Sequence, residues 1–344
     1  MIMTVMMFFL LLSTSQDTQS EALSSLNTEN EISFAVIAHR GASGYLPEHT
    51  LDAATLAFMQ GADYIEQDIV LSADNVPVVL HDIHIDTVTN VESLFPDRSR
   101  EDGRFYAIDF TWAELQTLFV HERQNIQGEQ VYPKRYRGRA AFKVASLEQH
   151  IQHIKLLNKI HGKNVGFYPE IKASEWHLEQ GKDITLFVVN MLKEHDLLDK
   201  QAKIFIQSFY PPTLKRLKYE FGVTAPLVQL IAENDWAESS ADYDYLRTQA
   251  GLTEIASYAQ GIGPWLPHIY SFEKNQQTGL VANAQALGLK VHPYTFRADD
   301  LPEAMTSESL LQLTIDTIRV NGLFTDHPDI TLNYLKSSAQ SKQE

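Results

Sequence analysis

Short apolar runs alternate with longer amphipathic stretches from residue 34 to the end of the chain. The runs are rich in β-branched residues and predict strands at Phe34–His39, Tyr64–Leu71, Val165–Ile171, Ala202–Phe209, Leu227–Ala232, Gly261–Pro264, Lys290–Phe296 and Gly322–Thr325. The stretches between them predict helices, among them Leu147–Ile160, Ile184–His195, Thr213–Phe221 and Leu310–Val320. This alternation is typical of parallel βα units, and about eight such units close a barrel.

We therefore predict the α/β fold class and, within it, a TIM-type (β/α)8 barrel. A doubly wound open sheet is the alternative, but no G-x-G-x-x-G follows the first predicted strand, and polar residues recur at several strand ends. Val76–Leu80 predicts a further short strand that pairs near the second. The periodicity then breaks down over about residues 83–145. This break predicts an insertion after the second strand region, within a single barrel domain spanning residues 32–338.

The start of the chain, from Met1 to Leu12, is apolar except for Thr4. This run is too short to span a bilayer but matches the apolar region of an export signal. We predict an export signal and flexible lead-in at residues 1–24, and no stable membrane insertion once the signal is removed. No Lys or Arg precedes Arg40 and no A-x-A cleavage site is evident, which weakens this prediction.

Composition excludes several kinds of function. The net charge of −16 repels a phosphate polymer, so we expect no nucleic-acid partner. The chain has no cysteine, which excludes disulfides, thiolate nucleophiles and sulfur-ligated zinc. A small anionic substrate remains compatible with the charge, because a local cation reverses the field inside one pocket.

The first predicted strand runs directly into His39 and Arg40, followed by a turn that begins with Gly41. Arg offers a fixed fork of donors to a phosphate, and a glycine turn lets backbone amides approach it closely. His39 is able to transfer a proton near neutral pH. The alternative is a capped strand end with a surface arginine, and His-Arg-Gly alone does not decide between the two.

Carboxylates occur two residues apart on a predicted strand, at Glu66 and Asp68, so they share one face. Glu170 and Lys172 repeat this spacing on the next strand. Three carboxylates about 5 Å apart repel by roughly 3 kcal/mol per pair at an effective dielectric near 20. The three pairs together amount to about 10 kcal/mol, which is comparable with the stability of a whole domain. A divalent cation together with Lys172 cancels this charge. Oxygen ligands alone favour a hard ion and leave Ca²⁺ and Mg²⁺ open.

A second histidine, His81, closes the apolar run Val78-Val79-Leu80, and Asp82 after it is a candidate to orient the ring. Two histidines at strand ends beside a cation form an acid/base pair suited to phosphodiester cleavage, since one accepts a proton and the other protonates the departing alkoxide. A single histidine in such a place is more often structural, so the prediction depends on the pair.

Together these residues resemble the glycerophosphodiester phosphodiesterase family. The motifs that carry the resemblance are Ala38-His39-Arg40-Gly41, Pro47-Glu48-His49-Thr50, Glu66-Gln67-Asp68, His81-Asp82 and Pro169-Glu170-Ile171-Lys172. Later segments look like the bacterial periplasmic branch: Leu227-Val228-Gln229-Leu230-Ile231-Ala232, Gly261-Ile262-Gly263-Pro264, His292-Pro293-Tyr294-Thr295 and Gly322-Leu323-Phe324-Thr325-Asp326.

The resemblance implies a site as well as a barrel. It implies that Glu66, Asp68 and Glu170 hold the metal, Ca²⁺ in preference to Mg²⁺, and that His39 and His81 are the acid/base pair. It further implies substrate contacts from Arg40 to the phosphate, with Lys172 near phosphate and metal and Glu48 supporting the first histidine. Three further candidates at later strand ends would contact the glycerol or the leaving group, with ordinary barrel packing as the alternative: Gln207, Phe209 and Tyr294.

The expected reaction is hydrolysis of small glycerophosphodiesters to sn-glycerol 3-phosphate and an alcohol, with attack either by water or by the glycerol hydroxyl. His39 is assigned as base and His81 as acid. The resemblance implies a periplasmic enzyme, with secretion as the second choice, and leaves a homodimer among the allowed assemblies. The alternatives are a phospholipase D-like enzyme or a teichoic acid hydrolase on the same barrel, or a binding protein without activity.

Overall fold

The computed structural model of the protein describes residues 34–138 and 140–341, so the export signal predicted at residues 1–24 lies outside the described residues. The described strands are β1 (Ala35–Ala38), β2 (Tyr64–Leu71), β3 (Pro77–Val79), β4 (Phe119–Val120), β5 (Phe142–Lys143), β6 (Gly166–Ile171), β7 (Ile206–Ser208), β8 (Leu227–Ile231), β9 (Gly261–Pro264), β10 (Tyr270–Ser271), β11 (Gln276–Gln277), β12 (Lys290–Val291) and β13 (Gly322–Thr325). The described helices are α1 (Leu51–Gln60), α2 (Val91–Leu94), α3 (Trp112–Leu115), α4 (Leu147–His161), α5 (Ser174–Glu179), α6 (Ile184–Glu194), α7 (Pro211–Tyr219), α8 (Tyr243–Leu246), α9 (Gln249–Tyr258), α10 (Leu266–Ile269), α11 (Leu280–Ala286), α12 (Ser307–Leu311) and α13 (Pro328–Ser341).

Parallel strands pair side by side in the order β12, β9, β8, β7, β6, β2, β1 and β13. The ends of this path also meet, because Phe296 bridges to Thr325 and the Phe324 amide donates to the Pro293 carbonyl over 3.0 Å. The predicted eight-stranded barrel is confirmed, and the doubly wound open sheet is excluded. None of the described helices has the length and apolar character needed to cross a bilayer.

Helix boundaries follow the capping residues in the sequence. Ser146 and Gln149 form a capping box at the start of α4, and Gly162 ends it with a φ of 61°. The helix predicted at Leu310–Val320 differs, because α12 ends at Leu311 and Gln312–Ile318 is π-helical. The Thr314 hydroxyl donates to the Leu310 carbonyl over 2.9 Å and so competes with the regular backbone ladder.

Two predicted strands are shorter in the structure. β12 ends at Val291, two residues before Pro293, which has no N–H to donate to a neighbouring strand. β7 begins only at Ile206, because the chain around Ala202 is a turn in which the Ala202 amide donates to Asp199. Both strands still deliver their following residues to the same end of the barrel.

Aromatic side chains fill the inside of the barrel below the strand ends. Tyr168 stacks on Phe205 with ring centroids 5.1 Å apart and meets Phe324 edge-to-face at 4.9 Å. The Tyr168 hydroxyl is within 2.8 Å of His292 Nδ1, so its polar atom is satisfied inside the core. The polar residues at the carboxyl ends of the strands lie directly above this packed layer.

The segment between β3 and α4 has an apolar cluster of its own. Phe110, Leu115 and Leu118 are fully buried there and pack against Val70 and Val78 on β2 and β3. The antiparallel pair β4 and β5 lies in this segment. This anchoring brings arginines of the segment to the open end of the barrel.

Candidate active site

The three predicted carboxylates converge at the carboxyl ends of β2 and β6. Parallel pairing places Asp68 directly opposite Glu170, and Glu66 shares the inner face of β2 with Asp68. One oxygen from each of Glu66, Asp68 and Glu170 lies within 4.8 Å of the others, and each residue is at most 4 % exposed. The predicted clustering of these side chains is therefore present.

Hydrogen bonds satisfy only part of this carboxylate cluster. Glu66 accepts from the Arg40 amide at 2.9 Å and from the Gln207 side-chain amide at 2.8 Å, and Asp68 Oδ2 is 2.8 Å from His49 Nε2. Among the described residues, Asp68 Oδ1 is buried without a hydrogen-bond partner, and Glu170 Oε1 is buried with the Lys172 ammonium 3.2 Å away. An orphaned oxygen on Asp68, in a cluster with two further buried carboxylates, fits a bound hard cation, which prefers oxygen ligands.

The pKa values of the cluster show the same conflict of charges. Burial raises the pKa of Glu66 well above its usual value, and the neighbouring Asp68 raises it further. Burial also raises the pKa of Glu170 well above its usual value, with Lys172 opposing the shift and Asp68 adding to it. Burial opposes the charge of Asp68 too, but His49 holds its pKa well below the usual range. Three charged carboxylates therefore require an added positive charge.

His39 is held by a carboxylate from the opposite end of the chain. Its Nδ1 is 2.6 Å from Asp326 Oδ1, and its Nε2 is 3.8 Å from Glu66 Oε2. Since the carboxylate accepts, Nδ1 carries the proton and Nε2 has a lone pair available on the side of the cavity. Burial lowers the pKa of His39 to about 3, and Arg40 lowers it further, although Asp326 acts in the opposite direction.

His81 has the same arrangement on the other side of the cavity. Its Nδ1 is 2.7 Å from Asp82 Oδ1, as predicted for an orienting carboxylate, and its Nε2 is 3.5 Å from Lys172 Nζ. Burial lowers the pKa of His81 to about 4, and Arg40 and Lys172 lower it further. Burial and the neighbouring cations therefore favour the neutral form of both imidazoles, and both line the same cavity.

Arg40 lies in a tight loop directly after His39, and its charge acts on both His39 and His81. It has a φ of 58°, and a Cβ on the following Gly41 would lie 2.8 Å from the backbone of Ala53. The guanidinium contacts Glu48 at 3.1 Å and Asp68 at 3.6 Å. A glycine is required at position 41 by this close approach and by its own φ of 83°, which accounts for the His-Arg-Gly order.

Arg123 connects this loop to the second histidine. Its guanidinium donates to both oxygens of Glu48, at 2.5 and 2.9 Å, and to Asp82 Oδ2 at 2.5 Å. Arg123 belongs to the segment between β3 and α4, so that segment helps to build the site. Glu48 therefore lies between two arginines, and it reaches neither histidine directly.

A cavity of about 220 Å³ joins these groups to an aromatic wall. Phe209 and Tyr294 line it as the sequence predicts, but the Tyr294 hydroxyl donates to the Ile231 carbonyl at 2.8 Å and offers only its ring. Gln207 is fully buried and donates to Glu66, so it positions a carboxylate instead of facing the cavity. Lys172 Nζ is 3.2 Å from Glu170 and 3.5 Å from Glu238.

Sequence reasoning missed several residues of this site. Asp326 follows a predicted strand and was detectable by the rule that polar residues at strand ends face the site. His49 was visible only as part of a motif. Arg123, Trp236 and Glu238 lie in segments without periodicity. The sequence gives no sign that Arg123 reaches Asp82 or that Trp236 and Glu238 line the cavity.

Comparison with known families gives one match over most of the chain. The model of the "Glycerophosphoryl diester phosphodiesterase family" matches residues 39–330. A glycerophosphodiester phosphodiesterase of Haemophilus influenzae is 38 % identical over 334 residues, covering 90 % of this chain and 92 % of the relative. A glycerophosphodiester phosphodiesterase of Treponema pallidum is 32 % identical over 329 residues, covering 89 % and 92 %.

Solved structures share the fold at lower identity. One is the crystal structure of a Silicibacter pomeroyi protein described as a glycerophosphoryl diester phosphodiesterase. It has a TM-score of 0.69 and 22 % identity, covering 89 % of this chain and 94 % of that one. An Oleispira antarctica phosphodiesterase in complex with the product sn-glycerol-3-phosphate has a TM-score of 0.60 and 21 % identity, covering 88 % and 96 %. These likenesses show the barrel.

Proposed function

The chain belongs to the glycerophosphoryl diester phosphodiesterase family and is an enzyme of that activity. We propose that it hydrolyses glycerophosphodiesters to sn-glycerol 3-phosphate and an alcohol, and that this reaction requires a divalent cation. The observation that carries the proposal is the convergence of three buried carboxylates within 4.8 Å, in which Asp68 Oδ1 has no hydrogen-bond partner among the described residues. A related barrel bound to sn-glycerol-3-phosphate supports the product.

Glu66, Asp68 and Glu170 would hold the cation. A bound cation supplies charge neutralisation for phosphoryl oxygens, which become more negative as the diester is cleaved. Ca²⁺ is proposed over Mg²⁺, because it accepts irregular oxygen ligation whereas Mg²⁺ requires near-ideal octahedral geometry. The cluster includes hydrogen bonds to Arg40, His49 and Gln207 that already fix three of the carboxylate oxygens.

The other side chains around the cluster bind the phosphate and transfer protons. Arg40 and Lys172 bind the phosphate oxygens, since both cations lie at the edge of the carboxylate cluster. His39 accepts the proton of the attacking hydroxyl or water at Nε2, with Asp326 stabilising the imidazolium that forms.

His81 protonates the departing alkoxide from Nε2. Its side chain and that of Asp82 are 23 % and 29 % exposed, compared with 9 % for His39, so the acid is on the side where an alcohol is able to leave. A bound phosphodiester places negative charge beside the ring, which favours the protonated form and so opposes the effect of burial on the pKa of His81.

Product analysis of glycerophosphoethanolamine by phosphorus NMR tests the proposal. Protein stripped with a chelator should release no sn-glycerol 3-phosphate, and added Ca²⁺ should restore the release more fully than Mg²⁺. Full activity of the metal-free protein would overturn the metal requirement. A transient cyclic glycerophosphate signal would identify the glycerol hydroxyl as nucleophile, and its absence during a rapid time course would favour water.

The same assay separates small diesters from intact lipids. We expect turnover of glycerophosphocholine and none of phosphatidylcholine vesicles, because the cavity of about 220 Å³ is enclosed by Trp236, Trp265 and Tyr294. Faster hydrolysis of the vesicles would favour a phospholipase D-like activity.

A further inference from the structure

The cavity has two chemically different sides, supplied by two different groups of strands. Most charged residues of the cavity lie on β2 and β6 or shortly after β1 and β3, whereas the segments after β7, β8, β9 and β12 each supply an aromatic ring. The segments after β8 and β12 also supply one charged residue each, Glu238 and Arg297. The rings that line the cavity in this second group are Phe209, Trp236, Trp265 and Tyr294. The proposed reaction uses only the charged side, so the aromatic side requires another explanation.

The rings of the aromatic side present apolar π surface to the cavity. Trp236 and Trp265 meet edge-to-face with centroids 5.0 Å apart and an angle of 65°. Phe209 and Tyr294 meet in the same manner at 6.1 Å and 86°. Trp236 is 42 % exposed, whereas an indole ring that served only in core packing would be buried.

One carboxylate lies among these rings. Glu238 lines the cavity two residues after Trp236, and its side chain is 29 % exposed. Its only ion pair within the described residues is with Lys172, at 3.5 Å, which leaves room for a second cation. A carboxylate beside exposed indole rings is the arrangement that attracts an organic ammonium ion, through charge and through the ring quadrupole.

The arrangement also indicates which arm of the substrate lies there. A glycerophosphodiester has a constant glycerol arm and a variable alcohol arm on either side of the phosphate. Trp236 is 42 % exposed and the Glu238 side chain 29 %, while Phe324 and Leu230 in the same cavity are buried. The mouth accommodates the variable arm, and this is also the side where His81 meets the leaving alcohol.

We propose that Trp236, Trp265 and Glu238 form a subsite for a positively charged leaving alcohol, a primary or quaternary ammonium alcohol. The proposal rests on the phosphodiesterase function proposed above and adds to it the class of substrate. The alternative is that the rings cover only the apolar edge of any alcohol, in which case the charge of the alcohol has no effect on the rate.

The test compares two diesters of the same shape and different charge. One is glycerophosphocholine, and the other is the glycerophosphodiester of 3,3-dimethylbutanol, in which carbon replaces the ammonium nitrogen. We expect kcat/KM of the wild-type enzyme with Ca²⁺ to be about tenfold higher for the choline diester, a ratio in the range of a desolvated cation–π contact with a carboxylate nearby. A ratio near one would overturn the proposal without affecting the proposed function.

Variants then locate the effect. Glu238→Gln and Trp265→Leu should each lower the ratio of the two kcat/KM values to about twofold. Because Glu238 contacts Lys172, its replacement is able to slow the hydrolysis of both diesters, but a loss common to both cancels in the ratio. Glu254→Gln is the matched control, because Glu254 pairs with Lys215 on the outer surface, and it should keep the wild-type ratio. An unchanged ratio in both cavity variants would contradict the subsite, and hydrolysis of neither diester would contradict the proposed function instead.

Discussion

His39 and Asp326 are separated by 287 positions in sequence, and yet His39 Nδ1 lies 2.6 Å from Asp326 Oδ1. The contact follows from barrel closure. β1 and β13 are parallel neighbours with Ala38 opposite Thr325, so the next residue on each strand faces the other. Asp326 also accepts from Arg135 at 2.6 Å and Arg297 at 3.1 Å. Its carboxylate is therefore a fixed, charged partner that sets the tautomer of His39.

Replacing this carboxylate by an amide should impair catalysis more than folding. Asp326→Asn removes the charge that stabilises a protonated His39 and permits the wrong tautomer, so we expect kcat to fall by about a hundredfold or more. The measurement is kcat and its pH profile, together with the melting temperature. Asp299→Asn is the control, because Asp299 shares Arg135 with Asp326 and does not contact His39. Equal kcat in the two variants would show that His39 does not need Asp326.

Arg123 should act on the reaction through Asp82 and His81. Arg123→Lys retains a positive charge but loses the fork that joins Glu48 to Asp82, so we expect kcat/KM to fall by about tenfold. If the effect passes through Asp82, adding Asp82→Asn to this variant should lower kcat/KM by much less than Asp82→Asn does alone. Additive losses in this double-mutant cycle would refute the coupling.

A matched control is available in the same segment. Arg104 pairs with Asp86 at 2.7 Å and does not line the cavity, so Arg104→Lys makes the same chemical change without touching the site. We expect it to leave kcat/KM within about twofold of wild type. A loss as large as that of Arg123→Lys would show that the segment as a whole, and not Arg123, affects the rate.

The residues that the sequence predicts best are those placed by a regular strand. Glu66 and Asp68 share a face because side chains alternate along β2, and parallel pairing with β6 then adds Glu170. The same rule extends to Asp326 after β13. Arg123 and Glu238 could not be placed in this way, because their positions depend on the path of irregular segments anchored by distant packing. Contacts of that kind have no local signal in the sequence.

Neutralising one cluster carboxylate should change stability and activity in opposite directions. The folded-state pKa of Glu66 is raised above its unfolded value, so its contribution to stability is present below the usual glutamate range and is lost as pH rises. At pH 7 and without metal, Glu66→Gln should therefore melt at a higher temperature than the wild type. It should also be inactive, because a ligand and its charge are missing.

Calcium titration followed by melting temperature completes this test. If Ca²⁺ binds the folded site as proposed, the wild type should become more stable as Ca²⁺ is added, and Glu66→Gln should show no such increase. Glu254→Gln, on the outer surface, should respond as the wild type does. A calcium-dependent increase of normal size in Glu66→Gln would contradict the assignment of Glu66 as a ligand.

Glu122 gives a prediction about stability and its dependence on pH. Its side chain is 7 % exposed, its Oε2 has no hydrogen-bond partner among the described residues, and burial raises its pKa to about 8, with Arg135 opposing the shift. Because the folded-state pKa lies above the unfolded value, the wild type loses stability as pH rises from about 4.5 towards 8, by at most about 1.4 kcal/mol per pH unit. Glu122→Gln does not titrate and should be spared this loss.

Chemical denaturation at several pH values should therefore show the stabilities of the wild type and Glu122→Gln diverging across this interval, with the variant more stable at pH 8. A constant difference between them at all pH values would mean that Glu122 is ionised in the folded protein at the same pH as in the unfolded chain.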